Sequence, residues 1–60
     1  MKKQVEIEAE TGILQSHISK YLNGVMIPTY PNAKKIADSL EMSVESFYEM
    51  IYKRRMARNR

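Results

Sequence analysis

Sixty residues without a cysteine make one small domain that holds neither disulfides nor thiolate metal sites, and the single histidine, His17, cannot ligate a metal alone. No apolar run approaches the roughly 20 residues of a membrane span. The opening MKKQVEIEAE also lacks the apolar centre of a secretion signal, so the expected location is cytoplasmic, on the nucleoid, with no membrane partner. The net charge of +3 is uneven: the last eight residues hold five basic groups and no acid, and the other 52 hold five basic groups against seven acids.

In chain order, the first predicted helix covers residues 3–10, with glutamates in its early turns where the helix dipole favours them. A tight turn follows at Thr11-Gly12-Ile13. Gly12 falls where the chain must leave the helix with positive φ, a conformation cheap only for glycine. The second helix covers 15–23 and stops at Gly24. Ile7, Ile13, Ile18, Tyr21 and Leu22 recur at spacings that place them on facing stripes of two steeply crossed helices. With that seam buried, the opposite side of the second helix carries Gln15, Ser16, Ser19 and Lys20, a polar ridge shaped for a DNA major groove.

Residues 25–28 form a short loop, and Thr29 caps a third helix that starts at Tyr30-Pro31 and buries Ala33, Ile36, Ala37 and Leu40. Ser43 caps a fourth, which sets Val44, Phe47, Tyr48 and Ile51 on one stripe. These four close the core, yet Met50, Tyr52 and Met56 add apolar surface that points elsewhere. A chain this short buries only about 60% of its unfolded surface, so reinforcement through a homodimer built on the fourth helix is expected.

The run QVEIEAETGILQSHISKYLNG resembles the helix-turn-helix of the lambda repressor and Cro family. Gln4 matches the glutamine opening that family's first motif helix, Thr11-Gly12-Ile13 its turn, Gln15-Ser16 the start of its recognition helix, Ile18 its buried β-branched position, and Asn23-Gly24 its exit. Ile27-Pro28-Thr29, the run from Lys35 to Leu40 and the run from Met42 to Phe47 read like the family's next two helices, so about 45 of the 60 residues take part. Three positions depart from the pattern. Only Met1, Lys2 and Lys3 precede Gln4, where the family has a further helix. Glu8 replaces a small alanine beneath the recognition helix and belongs at a wet edge, since a buried unpaired carboxylate costs several kcal/mol. Leu14 replaces a small or polar cap worth roughly 1 kcal/mol, and either touches a thymine methyl or fills space left by the absent helix.

The resemblance implies an all-α, compact four-helix helix-turn-helix domain of the lambda-repressor-like type over residues 1–52, with the last helix extended into a basic tail over 53–60. It implies a sequence-specific regulator of transcription, a phage or mobile-element repressor acting as a homodimer on a double-stranded DNA operator. Gln15, Ser16, Ser19 and Lys20 are expected to contact bases: glutamine pairs bidentately with adenine, and lysine reaches a guanine edge. Gln4, His17, Asn23, Lys2 and Lys3 are expected to hold the DNA backbone. The end KRRMARNR reads as a solvated terminus, a charged collar around a dimer helix or a DNA-phosphate arm of Arg54, Arg55 and Arg58, and the arm is the expectation. Met50, Tyr52 and Met56 are assigned to the dimer interface. No nucleophile, metal cluster or phosphate-cradling loop is arranged with His17, so neither an enzyme nor a cofactor is expected. The alternative is an interaction module or antirepressor that pairs with a full-length regulator as heteromeric partner, in which the surfaces of Ile7, Leu14 and Met50 matter.

Overall fold

The computed structural model describes residues 2–58 and contains four helices: α1 Gln4–Thr11, α2 Gln15–Leu22, α3 Tyr30–Ser39 and α4 Val44–Arg58. The last two residues of the basic tail lie outside the described residues. Helix α1 packs against α2 and α3, and α4 closes the bundle against α3 and α2. The all-α, four-helix architecture expected from the sequence is the one observed, and each predicted helix falls within a residue or two of its place.

The core is assembled from all four helices and from the α1–α2 turn. Ile7, Ile18, Ala33, Ile36, Ala37, Phe47 and Ile51 are fully enclosed, with Ile13, Tyr21 and Leu22 nearly so. Each large aliphatic or aromatic group buried this way contributes on the order of 1.5–3 kcal/mol relative to exposure, so the helix-turn-helix seam is a main source of cohesion. Leu40, Val44 and Tyr48 join from the margin, half-buried.

Helix ends follow from local chemistry. Gly12 has φ 77 and its N–H donates to the Glu8 carbonyl at 2.8 Å, which terminates α1 with the left-handed residue expected there. The Thr11 hydroxyl donates to the Ile7 carbonyl at 2.8 Å and accepts from the Ile13 N–H at 3.2 Å, locking both sides of the turn. At the end of α2, Gly24 N–H reaches the Tyr21 carbonyl and Val25 N–H the Lys20 carbonyl, the paired bonds of a Schellman motif with Gly24 at φ 74. The end of α3 repeats this arrangement, with Glu41 N–H on Asp38 and Met42 N–H on Ala37, but the left-handed residue is Glu41 at φ 57.

Ser43 caps α4 as its position suggests, its hydroxyl accepting from the Ser46 N–H at 3.1 Å. Thr29 does not act the same way. Its backbone is extended ahead of α3, but its hydroxyl makes no capping bond. Pro31 at the second position has no N–H to give, and the N–H of Asn32 at the third does not donate to the Thr29 hydroxyl either.

One polar tie joins three parts of the chain. Lys2 donates to both carboxylate oxygens of Glu10 at 2.7 and 2.8 Å, and the Ser39 hydroxyl, buried at the end of α3, donates to the same carboxylate at 2.8 Å. The hydrogen bond from Lys2 and then that from Ser39 hold the Glu10 carboxyl below the usual glutamate range.

Candidate nucleic-acid interface

Helix α2 turns Ile18, Tyr21 and Leu22 into the core, the i, i+3, i+4 spacing of a single stripe. Gln15, Ser16, His17 and Lys20 are exposed, and Ser19 is half-buried. On a helix, Gln15 stacks over Ser19, and Ser16 over Lys20, with Asn23 one turn beyond. The structure therefore brings the four residues expected to read bases onto one ridge, held outward by the buried seam behind it.

The remaining residues expected at the interface divide by their surroundings. The His17 ring sits 6.5 Å from that of Tyr21 at a tilt of 43°, and the Tyr21 hydroxyl accepts from the Asn32 amide at 3.4 Å. His17 itself is exposed beside Tyr21. The Asn23 amide is engaged within its own helix end, donating to the Ser19 carbonyl at 2.9 Å and to the Ser19 hydroxyl at 3.4 Å. Gln4 is half-buried at the first position of α1, next to exposed Lys3. Lys2 is folded along α1 onto Glu10.

Along the sequence the charge around α2 is basic, although Lys34 on α3 is paired with Asp38 at 2.9 Å. No acidic residue occurs between Thr11 and Ala37, a stretch that includes the whole of α2 and carries Lys20, Lys34, Lys35 and His17. All seven acids lie on α1 or after position 37. An acidic body with a basic tail describes the totals, but the acid-free window around the polar ridge is the sharper electrostatic signal.

A family model described as helix-turn-helix matches residues 1–47, covering α1, α2, α3 and the start of α4. The chain belongs to the lambda-repressor-like helix-turn-helix family. Neither a curated protein nor a solved structure matched it. Membership makes this a DNA-binding helix-turn-helix regulator.

Beyond the matched segment, this helix-turn-helix protein shows contacts that the linear sequence does not reveal. Arg54 donates through Nη1 to the Leu22 carbonyl at 2.7 Å, and Arg55 donates to the Gly24 carbonyl at 3.3 Å. Both guanidinium groups expected in a free phosphate arm thus have partners at the exit of the recognition helix. Arg58 is exposed at the end of α4. The surplus apolar residues of α4 also separate: Tyr52 stacks on Tyr48 at 6.4 Å and lies one turn from exposed Met56. Met50 is half-buried on another side of the helix, in an open groove with Leu40, Met42, Lys2 and Glu6. Leu14, at the cap position of α2, makes no capping bond and is 58% exposed, whereas Ile7 is wholly buried and offers no surface to a partner.

Proposed function

We propose that the protein is a sequence-specific transcriptional regulator, a phage or mobile-element repressor acting in the cytoplasm, that binds a double-stranded operator as a homodimer. The observation that carries this reading is the ridge of Gln15, Ser16, Ser19 and Lys20, polar and free of acids on a helix anchored through Ile18, Tyr21 and Leu22. Each protomer lays α2 in the major groove, where Gln15 and Lys20 carry the base contacts with the largest reach and the two serines adjust to either base or phosphate. Gln4, Lys3, His17 and Asn23 flank the ridge as backbone contacts, and Arg58 adds phosphate affinity from the end of α4. Occupation of the operator blocks or redirects polymerase.

The dimer is assigned to the stripe of Tyr52 and Met56 on α4, and Met50, on another side of the helix, falls outside it. A twofold axis through this helix sets the two recognition helices about 34 Å apart, one turn of DNA.

The groove between Leu40, Met42 and Met50 supports a second reading, in which the domain pairs with a full-length regulator and blocks it. Alanine substitutions separate the two. Gln15→Ala and Lys20→Ala are each expected to weaken binding to a selected DNA site by about 1–3 kcal/mol, measured by fluorescence anisotropy. Unchanged DNA affinity in both variants, with regulator binding lost on Met50→Lys, would establish the second reading instead.

A further inference from the structure

The exit of the recognition helix is gripped by the helix that follows it two elements later. Leu22 is the last residue of α2, and its carbonyl is among the acceptors that a helix leaves without an internal partner. Arg54 supplies that partner at 2.7 Å, placing a cation at the negative end of the helix dipole. Arg55 repeats the contact one step further on, at the Gly24 carbonyl. Between them the backbones nearly touch: a Cβ built on Gly24 would lie 2.6 Å from the Arg55 nitrogen and 2.9 Å from its Cα.

We propose that Arg54 is a positioning residue for DNA reading. It acts through the Leu22 carbonyl to fix the pitch of α2 in the groove, so that this part of the basic tail governs discrimination between sequences and contributes little to general phosphate affinity. The inference rests on the operator-binding reading and extends it to a residue outside the matched helix-turn-helix segment. A side chain that neutralises a phosphate and one that aims a helix leave different signatures. Loss of a phosphate contact lowers the salt slope of binding by about 0.9 and weakens all sequences alike. Loss of aim leaves the slope intact and weakens the correct sequence most, because base-edge hydrogen bonds depend on orientation while the diffuse attraction to phosphates does not.

The test begins by selecting a binding site from random duplexes with the wild-type protein. Affinities for that site and for a scrambled duplex are then measured across a salt series for wild type, Arg54→Ala, Arg54→Met and Arg58→Ala. Circular dichroism confirms folding at the assay temperature, and Arg54→Met, which keeps an aliphatic stem but has no donor group, is read alone if the alanine variant unfolds. The expected result is that substitution at Arg54 lowers the ratio of specific to non-specific affinity about tenfold, the scale of one lost hydrogen bond, at an unchanged salt slope. Arg58→Ala is expected to lower the slope and leave the ratio alone. A slope reduced by about one at Arg54 with the ratio preserved would make it a phosphate contact and overturn the proposal. Unchanged slope and unchanged ratio would overturn it equally, as a surface bond without consequence for reading. Failure of the wild type to select any site is a separate result, and it removes the operator-binding reading itself.

Discussion

Leu14 breaks two rules of stability at one position. It occupies a cap without a capping group, and it leaves a large apolar side chain exposed one residue ahead of Gln15. The open groove lined by Leu40, Met42 and Met50 does not include it. Apolar contact with a thymine C5 methyl is the role we propose for the side chain beside the ridge. Leu14→Ser is therefore expected to stabilise the fold by about 1 kcal/mol while weakening binding to a selected site that holds thymine at the matching step. Urea unfolding and the affinity for the same duplex with uracil in place of that thymine check both halves. A serine variant that is more stable and binds equally well would leave Leu14 without a function.

At the scale of elements, the two left-handed glycines end their helices alike but occupy unlike surroundings. Gly12 has nothing within 4 Å of an added Cβ, whereas Gly24 faces the backbone of α4. Gly12→Ala is expected to cost about 1 kcal/mol from backbone strain alone. Gly24→Ala adds a collision with main-chain atoms that cannot swing aside, so its loss should exceed that of Gly12→Ala by at least about 1 kcal/mol, read from denaturation midpoints. Equal losses would mean that α4 gives way easily at Arg55.

Much of this was legible in the linear chain. The 3.6-residue spacing of Ile18, Tyr21 and Leu22 marks the buried stripe of α2, and from that the opposite ridge follows. The turn at Gly12 and the cap at Ser43 depend on neighbours within four residues, which is why they were visible. Thr29 is a favourable cap residue type, yet its hydroxyl makes no capping bond although Asn32 at the third position of α3 has an N–H to give, so residue type at a helix start does not by itself report the bond. Glu41 carries no glycine signal, so its left-handed backbone emerges only from the way α3 must stop before α4. The partners of Arg54 and Arg55 lie 32 and 31 positions earlier, and periodicity cannot report a contact at such separation.

For the whole molecule, the question is how a 7.0 kDa domain presents itself to a DNA groove. A protomer measures 33 × 22 × 21 Å, about one DNA turn along its long axis, so contacts with two successive major-groove segments require a second copy. Helix α4 continues past its last buried residue, Ile51, and exposes Tyr52 and Met56 on one side. The wild type is expected to sediment at about twice the 7.0 kDa chain mass at micromolar concentration, and Tyr52→Glu combined with Met56→Glu to hold it at the single mass. A wild type that remains at the smaller mass would remove the homodimer.

The seat of Gly24 on Arg55 bears on how such a pair could be adjusted. With no room for a methyl group between the exit of α2 and the spine of α4, neither can slide past the other, and the blade is in effect welded to its handle. If two copies join at their handles as proposed, they would form a caliper with a preset gap, and sites whose halves are spaced wrongly would be rejected by rigidity, without any base having to be misread.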